Sequence, residues 1–294
     1  MTSPDSARPT LIEAGLNFSA FGYFTHPLAQ NRPPQVAPAR LEHWLQLEAL
    51  IRRLQAGDVD AAALVLALCR QSRDWALRTV ATRVLGHAAP PDCFRDMRRE
   101  LDALALGTRD HIDVETRELV LLYCRAFGAW GRLDVVPALL DYYLTLRLRK
   151  TPEISLIPLL IGQLIVGKPA SMIPLEPPED QLDEYLNLVM GECEDLAARL
   201  GSEKALVFRG ALQSVRGYAE RMRQLDSRYP AVDLALLRER FEPATGIDSG
   251  AIFAGKSVST LAAAAIAEAF LESPESARYE PGHRYFFGRE IPGE

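Results

Sequence analysis

The chain has 294 residues, 48% of them hydrophobic and 24% charged, with a formal net charge of −6. That composition excludes a disordered chain and leaves enough apolar surface for a large core. The negative balance argues against general gripping of nucleic acid, where affinity depends on neutralising phosphates.

Residues 1–38 read as an irregular arm. Pro4, Pro9, Pro27, Pro33, Pro34 and Pro38 remove amide donors and fix φ, so no helical period develops. Within the arm, FSAFGYFTHPL from Phe18 to Leu28 is expected to lie on the folded body, because its aromatics would not stay in water. A partner-binding arm is the alternative. The first ten residues are polar and no basic stretch precedes a long apolar run, so a secretory signal is not expected.

The first helical half spans 39–167. A helix over 39–55 places Trp44, Leu47, Leu50, Ile51 and Leu54 at three- and four-residue spacing, and Gly57 stops it. Asp58 is the expected cap of a helix over 59–70. Two copies of a helical hairpin follow, Asp74–Leu104 and Thr116–Leu146, offset by 42 residues. Under that offset Leu77 falls on Leu119, Leu85 on Phe127, Phe94 on Val136 and Met97 on Leu139. A period near 42 belongs to two-helix repeat units. Asp74 and Asp113 are placed to cap the leading helices, and the Pro90-Pro91 pair and the segment from Gly128 to Gly131 to turn the hairpins. A buried helix over 152–166 is expected next; its apolar run is too short to span a bilayer and contains Pro158.

Residues 168–180 form a Pro-rich loop, and the second helical half spans 181–294. Helices are expected over 181–200, from Ser202 to about Leu225, over 232–241 and over 258–271. The three consecutive aromatics Tyr285–Phe287 predict that the C-terminal tail docks on the body. No convincing alternation of apolar and polar residues appears. The fold class is therefore all-α, a helical-hairpin (HEAT-like) repeat or α-solenoid body in a single domain over 1–294. A non-helical N-terminal arm and a C-terminal tail are docked on it.

The stretch GAIFAGKS, Gly250–Ser257, matches the spacing of a phosphate-binding loop, but such a loop follows a buried strand. The preceding Phe241–Ser249 is not strand-like, so caps for the Ala-rich helix, at Ser257 or Ser259, account for it better. His26, His43, His87, His111 and His283 show no metal-binding spacing, and Cys69, Cys93, Cys124 and Cys193 form no C-x-x-C pair. Core thiols of a reducing, cytoplasmic compartment are the expectation. No cofactor is implied. Arg70, Arg73, Arg78, Arg83, Arg95, Arg98 and Arg99 could line a nucleic-acid groove. The interleaved Asp74, Asp92, Asp96, Glu100 and Asp102 point instead to helix-surface ion pairs.

The excess of carboxylates lies after Lys150. It is densest in Glu176, Glu179, Asp180, Asp183 and Glu184, the candidate partner-binding residues.

The helical-repeat body, the FGYFTHP of the arm and the terminal RYFFGREIP together resemble the all-helical immunity proteins of bacterial polymorphic toxin systems. The resemblance implies a non-enzymatic, cytoplasmic protein that binds one cognate toxin and blocks it, with no membrane or nucleic-acid partner. Its contact residues vary with the partner, so none is carried over. A helical-repeat adaptor for another protein and a repeat-type nucleic-acid enzyme such as a DNA glycosylase are the alternatives. The sequence alone names no toxin.

Overall fold

The computed structural model describes residues 41–105, 112–148, 156–167, 179–225, 230–253 and 258–293. Among them are eleven α-helices and two short β-hairpins. The described residues divide into two compact units. Unit 1 joins the part up to Pro90 to the part from Ser214, and unit 2 is Pro91–Gln213. The division at Pro90 passes between the two helices of the first hairpin copy.

In unit 1, α1 (Leu41–Gln55), α2 (Ala61–Gln71) and α3 (Trp75–Ala88) pack successively. The apolar spacing of α1 is realised: Trp44, Leu47, Leu50, Ile51 and Leu54 are all buried. Asp74 holds the entry to α3. Its Oδ1 accepts from the amides of Ala76 and Leu77, and its Oδ2 accepts from Trp44 Nε1 at 3.1 Å. A cap of this type is worth about 1 kcal/mol. Asp58 does not cap α2; its carboxylate pairs with Arg53 at the end of α1. The chain returns to unit 1 with α9 (Val215–Arg223), α10 (Pro230–Thr245) and α11 (Thr260–Glu272), α9 packing on both of the others. Ser259 caps α11 through the Ala262 amide at 3.1 Å.

In unit 2, α4 (Pro91–Ala105) packs against α5 (Val114–Trp130), which Asp113 caps at 2.8 Å, and α6 (Val136–Leu148) packs against α4. Helix α7 (Leu156–Ile165) packs on α5, and Leu160 lies so close to Gly128 that a Cβ there would meet its Cδ2 at 2.8 Å. Gly128 is therefore inside the helix for close packing, and Gly131 is the turn residue. Phe94 of α4 stacks on Trp130 with centroids 4.1 Å apart, a contact worth about 0.5–1.5 kcal/mol beyond its buried area. Helix α8 (Leu182–Leu200) closes the unit, with Tyr185, Val189, Cys193 and Leu196 buried.

The two β-hairpins depart from the expected pattern. The segment from Ser202 was expected to be helical. Instead β1 (Val207–Phe208) and β2 (Ala211–Leu212) form an antiparallel pair, and α9 begins only at Val215. The second pair, β3 (Tyr285–Phe286) and β4 (Arg289–Glu290), lies in the C-terminal tail. Both are linked by two-residue turns with positive φ at each centre, 51° and 67° at Arg209-Gly210 and 49° and 73° at Phe287-Gly288. That is the type I′ geometry, whose twist matches the strands it joins. The expected docking of the tail is realised: Tyr285, Phe286 and Ile291 are buried, while Phe287 is only half-buried.

Candidate functional site

Of the five acidic residues singled out in the sequence, Glu176 lies outside the described residues. Glu179 opens a 3-10 turn, Glu179–Gln181, that leads into α8. Asp180, Asp183 and Glu184 are exposed there. Asp183 and Glu184 occupy the first turn of α8, where the exposed amides favour negative charge by about 0.3–1 kcal/mol. Part of the cluster thus has a local structural reason.

The same outward face continues along the helix, about 28 Å long at 1.5 Å per residue. Asn187, Leu188, Gly191, Glu194, Asp195 and Ala198 follow at helical spacing, all exposed. The helix dipole gives no reason for Glu194 and Asp195, which sit well past the first turn. None of Asp180, Asp183, Glu184, Glu192, Glu194 and Asp195 forms an ion pair with a described residue. Leu188 lies within this face, 37% exposed. Sequence reasoning stopped the site at Glu184. The i, i+3, i+4 recurrence of polar and small residues as far as Ala198 was the signal that extends it.

The arginines of α4 contrast with this. Arg95 pairs with Asp92, Arg98 with Asp102 at 3.3 Å and Arg99 with Asp96 at 3.4 Å. Glu100 and Asp102 also accept from the Tyr123 and Tyr142 hydroxyls. Arg78 is buried and donates to Cys69 O. The expected ion pairing is what the structure contains on α4.

The stretch Gly250–Ser257 is preceded by helix α10 and a loop rather than a strand, and Gly250–Phe253 is a 3-10 turn. Lys256 lies outside the described residues. Ahead of this turn, Glu242 Oε2 accepts from Arg238 Nε at 2.9 Å and from the Ser249 hydroxyl at 2.7 Å. This ion pair is 3% and 5% exposed and holds the segment after α10. Burial pushes the Glu242 carboxyl above its ordinary range, opposed by Arg238 and Ser249.

All four cysteines are buried free thiols. Burial, reinforced by Glu192 and Glu194, pushes Cys193 up to about 12, so it is no nucleophile at neutral pH. Among the described residues no three metal-ligating side chains converge, and no helix is long and apolar enough to cross a membrane. A cleft of about 280 Å³ in unit 1 is lined by Ile247, Ile266, Phe270 and Tyr279 among others. It falls just below the usual size of ligand sites. Its hydroxyls are engaged locally, Thr245 with Phe241 O and Tyr279 with Arg278.

A second concentration of polar groups surrounds the C-terminal hairpin. Arg284 is buried and donates to Ala89 O at 2.7 Å and Gly86 O at 2.9 Å, at the end of α3. Burial, then Arg240, lowers its guanidinium to about 9, so it remains charged at neutral pH. His87 is held well below its ordinary range by burial first, then by Arg240, Arg284 and Arg83, and is neutral.

Compared with known proteins, the chain matches no family model, no curated protein and no solved structure.

Proposed function

We propose that this chain is a non-enzymatic, cytoplasmic protein-binding scaffold, an immunity protein that neutralises a cognate toxin carrying a basic surface. The observation that carries the reading is the outward face of α8. Its exposed carboxylates run from Asp180 to Asp195, none paired with a described residue, beside the exposed Leu188. A face whose like charges find no counter-ion among the described residues favours a cationic partner, and such complementarity acts chiefly on the association rate. Leu188 supplies an apolar contact inside the charged surround, the arrangement of a small interface core. The sequence resemblance to immunity proteins supports the same reading. The repeat-type DNA-binding alternative is disfavoured because the α4 arginines are engaged by neighbouring carboxylates.

The test is co-expression with the products of the adjacent reading frames, scored for toxicity in the absence of this chain. The chain should restore growth and co-purify with the toxic product. Reversing Glu179, Asp180 and Asp183 to Lys should slow association at low salt and weaken its salt dependence, with the helical circular dichroism unchanged. No rescue and no complex would overturn the immunity reading. A complex whose association rate ignores the reversal would move the contact off α8.

A further inference from the structure

We propose that the ends of α1, α3 and α10 form a peptide-binding seat whose ligand is the chain's own C-terminal hairpin, His283–Ile291, and that the seat recognises this hairpin without the covalent link. Five carbonyls make the seat. Gln55 O is at the end of α1, Gly86 O and Ala89 O at the end of α3, and Pro243 O and Ala244 O near the end of α10. Carbonyls at helix ends have no partner within the helix and carry its partial negative charge.

The hairpin supplies the matching donors. Arg284 reaches Gly86 O and Ala89 O through two different nitrogens. The Phe287 and Gly288 amides, turned the same way by the type I′ turn, donate to Pro243 O and Ala244 O, both at 2.7 Å. Arg289 Nε donates to Gln55 O at 3.1 Å, its stem lying against Gly57. The apolar part of the ligand is Tyr285, Phe286 and Ile291, all buried. Tyr279 packs edge-on against Tyr285 at 4.8 Å. In the link, Glu280–Gly282, Glu280 and Pro281 are exposed, and the Glu280 amide, on the body side of Pro281, donates to the Tyr285 hydroxyl at 2.9 Å. Cation, turn amides and aromatic face together are the chemistry of a recognised peptide: charged donors fix its position and buried rings hold it.

The test uses the full chain with a protease site inserted between Pro281 and Gly282. After cleavage the fragment should co-elute with the body on gel filtration. A fluorescent synthetic peptide of residues 283–294 should exchange into the cut protein saturably, and its Arg284→Ala version should bind at least about tenfold more weakly, one charge-assisted contact's worth. Release of the fragment on cleavage, with or without loss of the fold, overturns the proposal, as does equal binding of the two peptides. Hydrogen exchange on the uncut Arg284→Ala chain provides a second measurement. The Phe287 and Gly288 amides should lose protection while Arg209 and Gly210 keep theirs; protection retained at both turns counts against the seat.

Discussion

The hairpin of unit 2, VFRGAL, and that of unit 1, YFFGRE, solve one problem by the same device. In unit 2 the Arg209 and Gly210 amides donate to Gln163 O and Leu164 O, both at 2.8 Å. In unit 1 the Phe287 and Gly288 amides donate to Pro243 O and Ala244 O. The acceptors are the same two positions counted back from the last residue of α7 and of α10. Each hairpin also reaches a carbonyl at the end of a repeat helix, Gly131 O from the Val207 amide and Ala89 O from Arg284. Those two carbonyls are paired by the 42-residue offset. The difference lies in the donor. The bonds from the unit 2 hairpin to Gln163 O, Leu164 O and Gly131 O come from backbone amides, whereas unit 1 adds the side chains of Arg284 and Arg289. A backbone donor is set by chain geometry and depends on the turn; a side-chain donor depends on one residue and its charge.

The largest expected effect is Gly210→Ala. A Cβ there would stand 2.7 Å from Ile165 O and 2.8 Å from Gly167 N, backbone atoms that cannot swing away, and φ is +67°. Strain and overpacking together should cost about 2–5 kcal/mol, read as a lowered denaturation midpoint. Next is Arg284→Ala, which strips the side-chain donors from two buried carbonyls at the end of α3. About 2–4 kcal/mol is expected, with hydrogen exchange rising at the end of α3 while unit 2 is unchanged. Gly288→Ala should cost less than its counterpart, about 1–2 kcal/mol, because the neighbouring group is the movable Arg278 guanidinium rather than backbone. Equal losses at Gly210 and Gly288 would break the comparison.

Acid should separate the units as well. His87 binds its proton more readily in the unfolded chain, since its folded-state affinity is depressed. Its contribution is therefore complete above about pH 6.5 and is lost as pH falls below that value. Unit 1 should lose hydrogen-exchange protection between pH 6.5 and 5 before unit 2 does, and His87→Gln should flatten that slope. The smallest effect belongs to Arg289→Ala, a half-unit to one kcal/mol or so (about 0.5–1), because the bond to Gln55 O is exposed.

Much of the helical architecture could be read from apolar spacing. Leu77, Val80 and Leu85, and with them Leu122 and Phe127, are buried as the repeat requires, and Asp74, Asp113 and Ser259 cap as their positions suggest. Of the acidic site, the first turn of α8 was legible as a charge run. Its extension to Glu194 and Asp195 was marked only by the i, i+3, i+4 recurrence of polar and small residues, because carboxylates on a helix look alike in sequence whether or not an arginine answers them.

The sequence by itself determined the helical class, the 42-residue relation between α3 and α5, and the burial of the aromatic tail, because each rests on local periodicity or on hydrophobicity. Tertiary structure decided the rest. It made Ser202–Gln213 a loop and hairpin rather than a helix start, since Val207 and Leu133 find backbone partners in Gly131 and Ala205 that no local pattern announces. It carried α10 through Pro243, whose carbonyl is answered by the Phe287 amide far along the chain. It also assembled unit 1 from two distant segments, the Arg284 bonds to Gly86 O and Ala89 O among the ties between them. Hydrogen-bond demand at a helix end is fixed locally, but the group that meets it can come from anywhere in the chain.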